Sequence, residues 1–252
     1  MLEWPILLVA AAGVLAGIVG TAGGITSMVS YPALLAAGLS PFQANLANLV
    51  GIVATWPASA LASRRELDGL GRTIAPMLLA SACGAAAGTV LLLTTPTDVF
   101  DRIVPWLVLL GSGVLLAQPA ISRWRARRGA PSSAHPGVAA GWVALISVYG
   151  GYFGAGSGVM LLTTSLILID PRLPRANAVK NMLVGAACVT AAVLIVIATD
   201  VPWAETLGLG AGLFVGGLIG PRVARTLPPR LIRWAVAILG VVLAAQLSLR
   251  AW

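Results

Sequence analysis

Apolar residues dominate this chain in ten runs: roughly 5 to 22, 24 to 38, 43 to 63, 73 to 94, 103 to 121, 137 to 154, 158 to 169, 176 to 198, 203 to 220 and 231 to 249. A helix that crosses the hydrocarbon layer needs about 20 residues, and most of the runs meet that length. Two do not, 24 to 38 and 158 to 169. Each directly follows a knot of glycines, Gly17-Ile-Val-Gly-Thr-Ala-Gly-Gly24 in one case and Gly151-Tyr-Phe-Gly-Ala-Gly-Ser-Gly158 in the other. The short runs therefore read as half-helices that return from a break inside the membrane. In lipid every backbone N–H and C=O needs a partner, so a break is tolerated only against protein or a wet cavity.

Composition agrees with that pattern. Of 252 residues, 58% are hydrophobic and 10% are charged, which no water-facing surface accommodates. The fold class expected is an all-α polytopic membrane protein. Glu3 and the lack of a basic stretch before the first run argue against a cleaved signal peptide.

The net charge of +8 points to nucleic acid only until its placement is considered. Arg64, Arg65 and Arg72 form one group, Arg123, Arg125, Arg127 and Arg128 a second, Arg172, Arg175 and Lys180 a third, and Arg222, Arg225, Arg230 and Arg233 a fourth. Only Arg102 and Arg250 lie elsewhere. Short basic loops mark the cytoplasmic side of a membrane protein, so no nucleic-acid partner is expected, and the lipid bilayer is. Contact with lipid head groups is the secondary reading of these clusters.

With those loops inside, the path of the chain follows. Each half is a glycine-broken hairpin plus three full spans, and because three is odd the halves face opposite ways. The expected organisation is a first inverted repeat over 1–121, a cytoplasmic basic linker over 122–136 and a second inverted repeat over 137–252, with both termini outside. Gly17, Gly20 and Gly24 align with Gly151, Gly154 and Gly158 at a separation of 134, and Pro41 and Asn48 with Pro174 and Asn181 at 133. Tryptophans fall at the expected outer ends (Trp4, Trp106, Trp203, Trp252) and inner ends (Trp124, Trp142, Trp234), as an aromatic belt. Trp56 alone sits within a span, as helix packing or as a cavity wall. Cys83 and Cys188 read as packing residues, with no disulfide or metal framework.

Broken helices at matching places in two halves point to a transporter's binding site. A half-helix that begins in mid-membrane exposes its first N–H groups and the positive end of its dipole, which together hold anions. The expected starts are near Gly24-Ile25 and Gly158-Val159, aimed at one another, with Thr26, Ser27 and Ser157 adding hydroxyl donors. Asn45, Asn48, Asn177 and Asn181 add amide donors, or else bond between helices. The glycines themselves have a competing reading as close-packing positions, since Gly20 and Gly24, like Gly154 and Gly158, are four apart. Lys180, the one lysine, lies about one and a half turns into its helix, roughly 7 Å past Arg175. It either snorkels back to the cytoplasmic surface or draws anions into the cavity.

No Asp, Glu or His lies deep in a span, so a buried proton relay is missing. Asp170 and Glu205 fall at helix edges and read as solvated. An intramembrane hydrolase built on Ser157 lacks a base, because the sole histidine, His135, is in the linker. The chain is therefore read as no enzyme, with no cofactor and no metal. A channel is the harder rival, since broken helices also build pores.

At these residues the sequence resembles the sulfite exporter TauE/SafE family of membrane permeases. The resemblance rests on Gly20-Thr-Ala-Gly-Gly24 followed by Tyr31-Pro32, on Gly154-Ala-Gly-Ser-Gly158, on Ser40-Pro41-Phe42-Gln43-Ala44-Asn45 and Leu173-Pro174-Arg175-Ala176-Asn177, and on the two-half layout. It departs from the family pattern at Ala47-Asn48, where a Thr-Ser pair is frequent. The resemblance implies a carrier of sulfite, organosulfonates or other small organic anions in the bacterial inner membrane, with Gly20, Gly23, Gly24, Gly154, Gly156, Ser157 and Gly158 forming the site. The partner it implies is a small anionic substrate; a homo-oligomer is left open.

Overall fold

The computed structural model describes residues 4–128, 136–223, 234, 237–245 and 247, and every regular element among them is helical. In chain order these are α1 (Trp4–Gly23), α2 (Ser27–Ala36), α3 (Pro41–Ile52), α4 (Thr55–Ala62), the single turn α5 (Arg64–Leu67), α6 (Gly71–Thr94), α7 (Thr97–Arg128), α8 (Pro136–Tyr152), α9 (Ser157–Leu168), α10 (Leu173–Ala198) and α11 (Trp203–Val223). Residues 237–245 are helical as well.

Six helical stretches are long and apolar enough to span a bilayer: Trp4–Gly23, Pro41–Ala62, Gly71–Thr94, Thr97–Ala120, Leu173–Ala198 and Trp203–Gly220. The two half-helices are as short as expected, 10 residues for α2 and 12 for α9. Helix α8, at 17 residues, falls just below a full span. The last run, 231 to 249, is described only at 234, 237–245 and 247, and His135, Arg225, Arg230, Arg233, Arg250 and Trp252 lie outside the described residues. The expected linker at 122–136 does not begin with a break: α7 runs on to Arg128, carrying the second basic cluster as helix.

The run 43 to 63 is not one helix. It divides at Val53-Ala54 into α3 and α4, because Pro57 has no N–H for the carbonyl four residues back and its ring crowds that turn. Trp56 settles as packing, with its indole lying directly over Gly185 of α10.

Glycines bring two pairs of helices into backbone contact. A Cβ on Gly13 or Gly17 of α1 would stand 2.7 Å from the carbonyl oxygen of Leu209 or Leu213 in α11. From the other side, Gly212 and Gly216 of α11 press on Ala10 and Val14. Gly84 and Gly88 of α6 meet Ala144 and Val148 of α8 in the same way, and Gly151 meets Ala85. In lipid, close packing of small residues replaces the hydrophobic drive that water supplies elsewhere. Gly17 and Gly151, at the edges of the two knots, therefore serve helix packing.

Large apolar side chains cover the outside. Leu7, Leu79 and Ile197 are exposed, the last by 79%. Trp4, Trp106, Trp142, Trp203 and Trp234 are exposed too, and the side chain of Trp124 lies outside the described residues. A surface of that kind is stable in hydrocarbon and not in water. The chain is a multi-pass membrane protein.

Asp170, expected in solvent, is buried between α9 and α10. Its carboxylate accepts from the Arg172 backbone N–H at 2.9 Å, from Arg172 Nε and Nη2 at 3.0 and 2.8 Å, and from Arg175 Nη1 at 3.5 Å. Arg175 Nη2 also donates to the Asp68 carbonyl at 2.8 Å, so one residue joins the α9–α10 turn to the loop before α6. Hydrogen bonds from the Arg172 side chain are the main cause that holds Asp170 down at about 2, and its partial burial opposes them. A carboxyl held below its usual value stabilises the fold at and above about pH 4, and that contribution is lost as pH falls towards 2. Arg172 is largely exposed, so solvent screens the pair and the stabilisation is small. Asp170→Asn is expected to lower the melting temperature in detergent at pH 6 and to flatten its decline between pH 5 and pH 2. An unchanged acid profile in the variant would show that the ion pair contributes nothing.

Candidate functional site

The first break occupies residues 24–26 and the second 153–156. At the first, the Gly24 N–H still donates to the Gly20 carbonyl at 2.7 Å, and the chain then turns through φ +78° at Gly24. At the second, Gly154 and Gly156 both adopt φ +83°. Residues with a Cβ avoid that left-handed region. The half-helices begin at Ser27 and Ser157, later than expected in the first case and one residue earlier in the second.

The breaks lie against each other. A Cβ on Gly24 would stand 2.7 Å from the Gly158 carbonyl oxygen and 2.8 Å from the Val159 nitrogen, and one on Gly158 would meet the Gly24 Cα at 2.8 Å. The second break is also tied down on its outer side. Tyr149 Oη donates to the Ala155 carbonyl at 2.6 Å, Gly156 sits on Gly111 of α7, and the Phe153 ring meets Tyr31 edge-on at 5.2 Å.

Each break orphans carbonyls at the end of one helix and amides at the start of the next, and the two kinds are treated differently. Carbonyls at the end of each broken helix accept from side chains of the other half of the chain. Asn45 Nδ2 donates to the Tyr152 carbonyl at 2.9 Å, closing the end of α8. Asn177 Nδ2 donates to the Thr21 carbonyl at 2.9 Å, closing the end of α1. Lys180 Nζ adds bonds to the Gly20 and Thr21 carbonyls at 3.0 and 3.3 Å, and Asn181 Nδ2 approaches Thr21 at 3.5 Å. The amides receive no such help: neither α2 nor α9 has a side-chain cap. Main-chain carbonyls take the Ser157, Val159 and Val29 N–H groups at 3.1, 3.0 and 3.0 Å, so the donor capacity left over at the junction is that of the Ser27 and Gly158 amides.

A cavity opens beside these amides. The space available to water centres is about 40 Å³, enough for a few waters. Of the residues expected in a site, Gly20, Gly24, Thr26, Ser27, Gly154, Ser157, Gly158, Lys180 and Asn181 line it. Gly23, Ile25, Asn45, Asn48, Gly156 and Asn177 do not. Ile25 is buried in the core, Asn45 and Asn177 close helix ends, and Asn48 Oδ1 accepts from Ser30 Oγ. Lys180 does not reach the surface; it is 1% exposed. Ser157 does not add the expected donor, because its hydroxyl turns back to give its proton to the Gly154 carbonyl at 2.7 Å.

The cavity wall also holds Thr55, Ser59, Ser147 and Cys188. A signal for two of them was present, since Thr55 and Ser59 are four apart and share one face of α4. Ser147 stands one turn before Gly150 and Gly151 on α8, and its role depends on a partner far along the chain.

The sulfite exporter TauE/SafE family matches residues 6–247 of this chain. Among curated proteins, "Probable membrane transporter protein ORF9" of Sinorhizobium sp is 29% identical over 238 residues, which cover 94% of this chain and 89% of that one. "Probable membrane transporter protein YfcA" of Escherichia coli (strain K12) is 26% identical over 237 residues, covering 92% and 86%. A "Probable membrane transporter protein" of Haemophilus influenzae is 24% identical over 236 residues, covering 93% and 91%. No solved structure matches the chain.

The contact between the breaks yields a paired test. Gly24→Ala places a Cβ on a left-handed backbone and against the Gly158 carbonyl, at a cost of at least about 2 kcal/mol. Gly23→Ala adds the same atom where nothing stands within 4 Å. Thermal unfolding in detergent is expected to show a lower melting temperature for the first variant and none of that loss for the second; equal values would show that the two breaks do not touch.

Proposed function

This chain belongs to the sulfite exporter TauE/SafE family, and on that premise we propose that it carries a small anion, of the sulfite or organosulfonate kind, through the cavity between the two glycine breaks. It is a membrane transporter. The observation that carries the proposal is the unequal side-chain capping of the broken backbone: carbonyls capped by Asn45, Asn177 and Lys180, and the Ser27 and Gly158 amides left without a side-chain cap beside a cavity. Uncapped helix N-termini favour a negative ligand through their N–H groups and dipole alike. Lys180 supplies positive charge at the same wall.

The arrangement supports two inverted repeats with the site at their interface. Helix α1 of the first half packs on α11 of the second, and α8 of the second packs on α6 of the first, as an exchange between symmetry-related elements would require. Asn45 and Asn177 close each other's broken helix in the same exchanged manner. The clusters at Arg65 and at Arg172 and Arg175 line one shared cleft, which supports placing both loops on the cytoplasmic face of a bacterial inner membrane, with both termini opposite.

Export is the reading favoured. An inside-negative potential of 100 mV favours expulsion of a monovalent anion by about 2.3 kcal/mol, near a 50-fold gradient, so no coupling ion is needed. Proteoliposomes energised by a potential alone and loaded with sulfite, sulfoacetate, thiosulfate, sulfate or acetate test both substrate and direction. Saturable, competable efflux of sulfite or a sulfonate is expected. A strict need for a proton or sodium gradient would count against export, and non-saturating flux would identify a pore. Lys180→Ala is expected to lower efflux at least about tenfold at equal abundance in the membrane; unchanged efflux would remove the residue from the site.

A further inference from the structure

A hydroxyl has one proton to give, and around this cavity most of those protons are already committed. Ser157 gives its proton to the Gly154 carbonyl at 2.7 Å, Thr21 to Gly17 at 2.7 Å, Thr55 to Ile52 at 2.8 Å and Ser59 to Trp56 at 3.0 Å. Ser147 is decided at one remove. Ser81, fully buried on α6, donates to the Leu183 carbonyl at 2.8 Å. In the 2.9 Å contact between the Ser81 and Ser147 hydroxyls, the proton must then come from Ser147. These five of the seven hydroxyls that line the cavity can offer a ligand only lone pairs.

The other wall has the opposite character. Thr26 and Ser27 hydroxyls donate to no group among the described residues, and the amides that begin α2 and α9 lack side-chain caps. Lys180 has three N–H groups and spends two on the Gly20 and Thr21 carbonyls. The start of α2, the Gly158 amide and Lys180 therefore present donors and positive charge to the cavity, and the hydroxyls on α4 and α8, Thr55, Ser59 and Ser147, present acceptors.

We infer that the cavity selects an anion that brings a hydrogen-bond donor of its own, either a singly protonated oxyanion or a hydroxylated organic acid, over a bare anion of the same charge. The inference rests on the anion-carrier reading and narrows its substrate class. The negative group meets the donor wall, and the ligand's own O–H meets the lone pairs of Ser147 and its neighbours. An anion without that proton leaves buried acceptors facing it unpaired, and a site built to pair with a ligand hydroxyl rejects the analogue that lacks it. Ser81 acts here as a positioning residue, fixing the direction of the Ser147 hydrogen bond.

Matched pairs test this in proteoliposomes of the full chain: acetate against hydroxyacetate, and ethanesulfonate against 2-hydroxyethanesulfonate, each corrected for leak through protein-free vesicles. The expected result is a preference of at least about tenfold for the hydroxylated member of both pairs. In Ser81→Ala the Ser147 proton is released and can be offered to the cavity, so the ratio is expected to fall towards one. Should that variant fail to reach the membrane, Ser147→Ala removes the acceptor directly and is expected to lower the ratio as well. Equal wild-type transport within each pair overturns the donor and acceptor division while leaving the anion carrier intact. A preference that survives both substitutions overturns the role of Ser147, absence of flux for all four anions with sulfite efflux intact overturns this inference alone, and loss of sulfite efflux as well overturns the carrier reading.

Discussion

The organising constraint of this protein is that a peptide group inside hydrocarbon must find a partner within the protein or in trapped water. A continuous helix meets that demand internally. A helix broken in mid-membrane cannot, and the two breaks here expose carbonyls and amides in the same small volume. The fold answers with side chains that only donate towards the carbonyls, the amides of Asn45 and Asn177 and the ammonium of Lys180. Among the described residues no side chain performs the reverse service for the amides, of which those of Ser157 and Val159 bond to the main chain. The donor character of the cavity thus follows from which backbone groups received side-chain partners, and no carboxylate of the described residues lines it.

Glycine does three different things along this chain, and telling them apart decides how the motifs are read. At Gly13, Gly17, Gly84 and Gly88 the missing side chain lets two helices approach to backbone distance. At Gly154 and Gly156 it permits a left-handed turn. Gly24 combines that turn with direct contact against the opposite break. A spacing of four residues is common to the packing glycines and to the knots, so spacing alone does not separate them.

Much of this was legible in the amino-acid sequence. The short runs after the knots, the depth of Lys180 in its helix and the packing role of Cys188 and Trp56 needed only length and composition, whereas Cys83, expected to pack, is exposed on the outside of α6. Pro57 marked the division between α3 and α4, and the signal was there to be read. Asp170 in the order Asp-Pro-Arg is a turn in which a carboxylate bonds the backbone two residues on, which would have argued against a solvated group. What could not be read is the direction of hydrogen bonds. Whether Asn45 faces a ligand or the end of α8 depends on a partner 107 residues away, and the state of the Ser147 proton depends on Ser81, 66 residues distant. Pattern along the chain fixes which residues share a helix face; it does not fix what the opposing helix offers to that face.

The meeting of Gly24 and Gly158 has a mechanical side. Between most packed helices stands a layer of side chains whose rotamers can adjust and absorb a displacement. Here main chain rests on main chain, and there is no such cushion. A shift of one break is passed undamped to its counterpart, and neither can slide along the other without main chain running into main chain.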